Sequence, residues 1–167
     1  MSDATPSPHL TIIWHSRTGA SEALAAAALE GAQSEAQALS FTADAVTPET
    51  LLEAGGYLFV GPENLGSLTG AMKEMFDRCY YPVLGRLEGR PYATIISAGS
   101  DGEGAQRQLD RIVTGWRLRR VADHLIVNLG AQTADEILAP KCVPREDIAL
   151  ARDLGAALST GITLGLF

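Results

Sequence analysis

Metal-binding and disulfide patterns are scarce in this chain of 167 residues. The only two cysteines, Cys79 and Cys142, lie far apart, and no Cys-x-x-Cys pair occurs. The spacing therefore supports neither a zinc site nor a thioredoxin-like motif. His9, His15 and His124 form no ligand pattern either. We expect two reduced thiols and no metal site.

Positive charge is also in short supply. The chain has 13 lysines and arginines against 20 aspartates and glutamates, which gives a net charge of −7. Nucleic acids and anionic membrane surfaces require positive patches on their partners. We therefore expect neither as a general partner. A local positive site for a phosphorylated cofactor remains compatible with this charge.

Long apolar runs are missing as well. No run approaches the ~20 residues needed to cross a bilayer, so no membrane span is expected. The N-terminal sequence is polar and proline-rich, without the layout of a signal peptide. We expect residues 1–8 to form a flexible tail and residues 9–167 to form a single domain of a cytoplasmic protein.

Short apolar segments alternate with helical patterns along the chain. The segments that predict strands are Leu10–Trp14, Ala36–Phe41, Tyr57–Val60, Tyr92–Ser97 and His124–Leu129. The patterns that predict helices are Glu22–Ala32, Pro48–Ala54, Thr69–Tyr80, Glu103–Trp116 and Arg145–Leu158. This alternation is typical of an α/β fold with a parallel sheet covered by helices on both faces. Right-handed crossovers then bring the strand-to-helix loops to one edge of the sheet.

The turn after the first strand has the features of a phosphate site. Its hydroxyls can donate hydrogen bonds, its glycine lets the backbone approach an anion, and the next helix offers unpaired N–H groups. An arginine in the turn either pairs with the phosphate or points to solvent. In the alternative interpretation, a hydroxyl simply caps the helix. The candidate phosphate-binding residues are Ser16, Arg17, Thr18, Gly19, Ala20 and Ser21.

The loops after the third and fourth strands have a similar composition. Both are rich in glycine and small polar residues, and glycine allows the backbone to approach a flat ring closely. The candidate ring-lining residues are Pro62, Glu63, Asn64, Leu65, Gly66 and Ser67 in the second loop, and Ala98, Gly99, Ser100, Asp101 and Gly102 in the third.

The first loop resembles that of the flavodoxin-like proteins. Ser16-x-Thr18-Gly19-x-Ser21 is similar to their hydroxyl-x-Thr-Gly-x-hydroxyl pattern, which holds the 5′-phosphate of FMN. It matches neither the dinucleotide fingerprint nor a P-loop. The resemblance implies a flavodoxin-like three-layer sandwich with a five-stranded parallel sheet in the order 2-1-3-4-5. As in flavodoxin, FMN would bind where the strand order reverses.

The second loop and its helix resemble a particular branch, the NAD(P)H-dependent FMN reductases and flavodoxin-like quinone reductases. Those proteins carry Pro-x-(Tyr/Asn)-x-Gly-Ser, a helix with a Lys and an Asp-Arg pair, and a Gly-Lys/Arg-Pro turn. The matching residues here are Pro62, Asn64, Gly66, Ser67, Lys73, Asp77, Arg78 and Gly89-Arg90-Pro91. The resemblance implies an FMN-binding oxidoreductase that passes hydride from NAD(P)H to a flavin, a quinone or a similar small-molecule acceptor. No side chain is nominated as a catalytic acid or base.

Two other functions stay open. The acidic net charge allows a flavodoxin-type electron carrier that docks on a redox partner protein, although the second and third loops lack the aromatic residues that usually flank the ring in such carriers. The other alternative is a cofactor-free domain that binds partners. Asp101 and Glu103 would repel the phosphates of a nicotinamide cofactor. A homo-oligomer is also possible, with Tyr80–Leu87 or Ile162–Phe167 as the contact.

Overall fold

A computed structural model describes residues 7–167, so residues 1–6 of the predicted tail lie outside the described residues. The strands are β1 (Leu10–Trp14), β2 (Ala38–Thr42), β3 (Gly56–Asn64), β4 (Ser67–Leu68), β5 (Pro91–Ala98), β6 (Arg119–Arg120) and β7 (Leu125–Asn128). The helices are α1 (Ala20–Glu35), α2 (Pro48–Glu53), α3 (Gly70–Val83), α4 (Glu103–Gly115), α5 (Ala134–Leu138) and α6 (Arg145–Leu164).

The parallel sheet has the order β2-β1-β3-β5, and β6 and β7 share the position beyond β5. Strand β6 pairs with Pro91 and Tyr92, whereas β7 pairs with the segment from Ile95 to Ala98. The predicted order 2-1-3-4-5 is therefore confirmed. The fifth strand, predicted over His124–Leu129, is β7, and the two-residue strand β6 precedes it outside the predicted run.

Both faces of the sheet are covered because successive side chains of a strand point to opposite sides. In β3, Tyr57 and Phe59 lie in the larger core, which α2, α3 and α4 complete. Leu58 and Val60 lie in the second core, under α1 and α6. The dense apolar composition of this strand thus reflects burial on two faces, as the sequence predicts.

Helices α1 and α6 pack with their backbones in close contact. A Cβ atom at Gly31 would lie 2.0 Å from the carbonyl oxygen of Arg152, and one at Gly155 would lie 2.0 Å from that of Ala28. Only glycine fits at either position. This contact holds the second half of α1 against α6. Helix α6 also continues past the predicted end at Leu158.

Some predicted boundaries are wrong. The third strand continues past Val60 to Asn64, because Gly61 and Pro62 extend its pairing with β5 and do not form a turn. The second strand begins at Ala38 because α1 continues to Glu35. Within residues 7–167, no helix is long and apolar enough to span a bilayer.

Candidate functional site

The first loop connects β1 to α1 at the carboxyl edge of the sheet. Gly19 immediately precedes the helix with φ of 100°, in the left-handed region that favours glycine. The hydroxyl oxygen of Ser16 accepts a hydrogen bond from the Gly19 N–H at 3.0 Å. This bond closes a tight turn directly before the first turn of α1.

The start of α1 has unused hydrogen-bond donors. No side chain caps this helix, and the backbone N–H groups of Ala20, Ser21 and Glu22 have no acceptor within residues 7–167. Unpaired N–H groups and the positive end of the helix dipole together favour an anion. The start of α1 therefore has the donors that a phosphate group needs.

Helix α4 provides a direct comparison, because it also begins after a left-handed glycine, Gly102 with φ of 99°. Here the carboxylate of Glu63 accepts hydrogen bonds from the N–H groups of Gly102 at 2.9 Å and Ala105 at 3.1 Å. The two helix starts have the same local geometry, but in α4 a carboxylate of the chain satisfies the donors. In α1 they remain available to a ligand.

The second loop is a tight hairpin in the structure. Strand β4 pairs antiparallel with the end of β3, and Leu65 and Gly66 form the two-residue connection with φ of 52° and 71°. Two positive φ values in a row are the mark of a type I′ turn. The Leu68 N–H donates to the side-chain oxygen of Gln108 at 2.7 Å, which ties the hairpin to α4.

A fourth segment, residues 129–141, adds a wall that the sequence analysis missed; we call it the strap. At one end its Leu129 N–H donates to the Ala98 carbonyl at 2.8 Å. At the other end its Lys141 N–H donates to the Thr18 carbonyl at 2.8 Å. The strap therefore bridges the third loop and the first. A capping box between Thr133 and Glu136 starts its short helix α5, and this Thr-x-x-Glu spacing is a signal that sequence reading can find.

These four segments enclose a cavity of about 340 Å³. Its volume lies within the range of small-molecule sites. Of the 17 residues that line it, 11 are among the candidates that the sequence nominated. They are Arg17, Thr18, Ala20, Pro62, Glu63, Asn64, Leu65, Gly66, Ala98, Gly99 and Ser100. The lining residues that the sequence did not nominate are Ser97, Leu129, Ala131, Ile137, Leu138 and Lys141.

The other six nominated residues have different positions. Ser16 and Gly19 line a second groove, which Arg17 also borders. Ser21 is buried, with its hydroxyl 2.8 Å from that of Ser97. Gly102 is the residue capped by Glu63. Ser67 pairs with Asn64 in the hairpin, and Asp101 is exposed before α4.

The two cationic side chains that line the cavity, Lys141 and Arg17, differ in their hydrogen bonds. The Lys141 ammonium donates to three backbone carbonyls of the strap, at Glu136, Ile137 and Ala139 (2.6 to 2.9 Å). Arg17 is exposed and has no hydrogen bond or ion pair within residues 7–167. The Arg17 guanidinium is therefore the cation that remains free for an anionic ligand.

His15 contributes to the frame of the site. Its Nδ1 lies 3.0 Å from the Thr69 hydroxyl, which joins the first loop to the start of α3. Partial burial lowers the pKa of His15, and the charge of Arg17 lowers it further, while Asp44 partly opposes both. The imidazole is accordingly neutral at neutral pH, and the positive side chain of the first loop is Arg17.

The charged residues of the helix-α3 motif lie away from the cavity. Lys73 forms an exposed ion pair with Asp77 at 2.6 Å. Arg78 donates to the carbonyls of Ala43 and Val46 and so holds α3 against the chain after β2. Similarly, Arg90 donates to backbone carbonyls at the end of α2. These residues support the fold that positions the loops.

The donors at the cavity fit the phosphate of FMN. The uncapped start of α1 and the free Arg17 match a phosphate, and the small residues Ala98, Gly99 and Ser100 of the third loop line another part of the cavity. No aromatic side chain lines the cavity within the described part of the chain. The chain's own side chains therefore provide no aromatic ring to stack on a flavin.

Comparison with known proteins agrees with this architecture. Residues 42–132 match the family described as NADPH-dependent FMN reductase, a segment that includes the second and third loops and lies downstream of the first. No curated protein matches the chain.

Three solved structures illustrate the shared fold. A flavodoxin from the domain Archaea has 16% identity and a TM-score of 0.70, with 92% of this chain and 97% of that chain covered. A flavodoxin, WrbA-like protein from Agrobacterium tumefaciens has 19% identity and a TM-score of 0.71, with 95% and 99% covered. The flavodiiron core of Flv1 from Synechocystis has 14% identity and a TM-score of 0.75, with 95% and 37% covered. At these identities the similarity shows the fold, which is flavodoxin-like.

Proposed function

The chain belongs to the NADPH-dependent FMN reductase family, and from this premise we propose that it binds FMN and uses NAD(P)H to reduce a flavin, a quinone or a similar acceptor. The observation that carries the proposal is the contrast between the two helix starts. Helix α4 is capped by Glu63, whereas α1 keeps its donors free beside the unpaired Arg17. A dianionic phosphate satisfies both of these groups.

In this proposal the protein supplies binding and position. The start of α1 and Arg17 hold the phosphate of FMN, and Thr18 lies beside it in the cavity wall. The hairpin from Pro62 to Gly66 and the segment from Ala98 to Ser100 border the ring. Bound FMN would supply the redox chemistry, taking a hydride equivalent from a nicotinamide and passing electrons to an acceptor.

No side chain is assigned as a general acid or base. Both Glu63 and Lys141 line the cavity, but the chain's own backbone groups already occupy their charged ends. The remaining wall consists of small, apolar and amide-bearing residues, together with Arg17. The residues therefore orient the cofactor and take no proton in the reaction, as hydride transfer between two rings allows.

The test is spectroscopic. The purified chain mixed with FMN is expected to retain it after gel filtration, with absorbance bands at about 370 and 450 nm from the flavin. Anaerobic NADPH or NADH is then expected to bleach the 450 nm band. A chain that stays colourless would contradict FMN binding. A yellow protein that neither nicotinamide bleaches would contradict the reductase activity alone and would favour an electron carrier.

A further inference from the structure

The four segments that enclose the cavity carry very few cations. Residues 18–72, which include the rest of the first loop and the whole hairpin, contain no lysine or arginine. Residues 98–102 of the third loop and residues 129–140 of the strap contain none either. Among the residues that line the cavity, only Arg17 and Lys141 are cationic. A strongly negative ligand in this cavity therefore depends on these two side chains for charge compensation.

Lys141 has no donor left for a ligand. An ammonium group has three N–H donors, and those of Lys141 are used by the carbonyls of Glu136, Ile137 and Ala139 at 2.6 to 2.9 Å. Arg17 is thus the one cationic side chain of the cavity with free donors within residues 7–167, and the proposed function assigns it to the phosphate of FMN. A second phosphate group would find no free cation among the lining residues that the structure describes.

Three exposed carboxylates adjoin the cavity. Asp101 directly follows the lining residue Ser100, and Glu103 lies two positions further on, at the start of α4. Asp135 lies on α5, two positions before the lining residue Ile137. We call Asp101, Glu103 and Asp135 the acidic border. In the described part of the chain none of the three forms an ion pair, so their charges are not compensated.

The two nicotinamide cofactors differ only at the 2′ position of their adenosine. NADH has a hydroxyl group there, whereas NADPH has a phosphate monoester, which carries nearly two negative charges at neutral pH. A hydroxyl needs a single neutral hydrogen bond, but a phosphate is bound best by charged donors. Because both cofactors carry the same pyrophosphate, the difference between their affinities reports on the surroundings of the 2′ position.

From these observations we infer that the chain selects NADH over NADPH and that the acidic border rejects the 2′-phosphate. The inference rests on the proposed function, and it is opposite to the cofactor named in the family's description. The reaction is the same with either cofactor: a hydride, one proton with two electrons, passes by way of the flavin to the acceptor, and the oxidised nicotinamide leaves. Repulsion of the wrong cofactor is a sufficient source of such selection.

The first experiment compares the two cofactors as reductants of the FMN-loaded protein. Anaerobic bleaching is followed at about 450 nm in about 10 mM and about 1 M salt, which shorten the Debye length from about 30 Å to about 3 Å. At low salt we expect the second-order rate constant to be about tenfold higher for NADH. At high salt the ratio should approach one. A rate constant that is equal or higher for NADPH, or a ratio that ignores salt, would overturn the inference.

Charge-neutralising variants locate the repulsion. The double variant Asp101→Asn/Glu103→Gln removes two charges of the acidic border, and we expect it to raise the rate with NADPH relative to NADH about threefold. The matched control is Glu53→Gln/Asp153→Asn, which removes two exposed carboxylates from α2 and α6, away from the cavity lining. It is expected to keep the ratio of the parent. The same change in both double variants would assign the preference to net charge and overturn the role of the acidic border.

Binding of the oxidised cofactors gives a readout that needs no turnover. Isothermal titration of the FMN-loaded protein is expected to give a Kd about tenfold weaker for NADP⁺ than for NAD⁺. Tighter binding of NAD⁺ to a protein that neither reduced cofactor bleaches would retain the selection and overturn the proposed reductase activity. Tighter binding of NADP⁺, with faster bleaching by NADPH, would retain the proposed function and overturn the inference. A chain that takes up no FMN and binds neither nicotinamide would overturn both.

Discussion

The carboxylate of Glu63, at the base of the β3–β4 hairpin, accepts a hydrogen bond from the Gly102 N–H at 2.9 Å across the candidate cavity wall. A second bond from Ala105 at 3.1 Å makes Glu63 the N-terminal cap of α4. A side chain separated from its partners by about 40 positions in the sequence thus fixes the second loop to the third. The distance between these loops sets the width of the proposed flavin site.

Replacing this carboxylate tests its role. Glu63→Gln places an amide N–H against one of the two backbone donors and removes the charge, so we expect a loss of about 1–2 kcal/mol in the free energy of unfolding. Urea denaturation measures it. The control is Glu103→Gln, because Glu103 is exposed in the first turn of the same helix and is expected to cost at most about 0.5 kcal/mol. An equal loss of unfolding free energy in both variants would contradict the role of Glu63 as the cap of α4.

The second prediction concerns the phosphate end of the cavity. Thr18→Glu introduces a carboxylate beside the uncapped start of α1, where it competes with and repels a phosphate dianion. We expect FMN affinity to fall about a hundredfold or more, measured by quenching of flavin fluorescence. Thr163→Glu adds the same charge at an exposed position on α6 and is expected to bind FMN as the parent does. Unchanged binding by Thr18→Glu would place the phosphate elsewhere.

The positions of most strands were predictable because their signal is local and dense, whereas the sheet order came from the resemblance to flavodoxin-like proteins. The strand over Leu10–Trp14 is continuous apolar sequence followed at once by hydroxyls and glycine, and the structure gives it the same limits. Helix α2, predicted to begin at Pro48, also begins there in the structure, directly after its N-cap Thr47. Such features depend on residues within one or two turns of each other. Because most strand positions were predicted correctly, the three candidate loops lie at one edge of the sheet in the structure, as expected.

The parts that the sequence did not predict depend on distant partners. Packing between α1 and β5 turns the Ser21 hydroxyl toward Ser97 and not toward a phosphate. No residue near Ser21 in the sequence predicts this orientation. The strap was missed because its contacts with the site run through backbone groups, at Leu129 and Lys141. A backbone N–H is the same in every residue except proline, so such contacts leave little trace in residue type.

The third prediction tests the strap at its tightest contact. A Cβ atom at Gly99 would lie 2.5 Å from the Ala131 carbonyl oxygen, so Gly99→Ala must displace the strap from the third loop. We expect a loss of about 1–3 kcal/mol in stability, together with weaker FMN binding. Gly70→Ala is the control, since no atom lies within 4 Å of its added Cβ, and it is expected to be neutral or stabilising by up to about 1 kcal/mol.

The fourth prediction concerns alkaline pH. Burial raises the pKa of Tyr57 to about 12, and burial together with the hydrogen bond to Asp110 raises that of Tyr92 to about 12. In the unfolded chain a tyrosine ionises near pH 10. The unfolded state therefore loses protons first, and the stability that these groups contribute is complete below about pH 10 and is lost between pH 10 and 12.

Denaturant titrations at a series of pH values check this expectation. The free energy of unfolding should fall steadily above pH 10. In Tyr57→Phe this decrease should be smaller, because one of the two tyrosines no longer ionises. The variant should also be less stable at neutral pH, because it loses the hydrogen bond from the Tyr57 hydroxyl to the Leu51 carbonyl at 2.6 Å. Tyrosinate absorbance at about 295 nm should show groups that ionise only near pH 12 in the folded protein. A Tyr57→Phe variant with the same pH dependence as the parent would contradict the assignment.

The last prediction sets stability against function at a single residue. Asparagine tolerates the left-handed conformation that Leu65 adopts and precedes glycine in the preferred type I′ turn. Leu65→Asn is therefore expected to raise the free energy of unfolding by about 1 kcal/mol, measured by urea denaturation. The control Leu150→Asn replaces an equally apolar exposed residue in the middle of α6, where asparagine is a poorer helix former, and should lower stability by about 0.5 kcal/mol.

Opposite signs for these two variants would locate the strain in the turn at Leu65. If Leu65→Asn also weakens FMN binding, the same side chain reduces stability and promotes cofactor binding, as expected of a residue retained for its ligand. A stabilised variant that binds FMN as the parent does would leave the strain at Leu65 without a function. A variant that is less stable than the parent would show that the leucine side chain packs usefully in the hairpin, in spite of its 96% exposure.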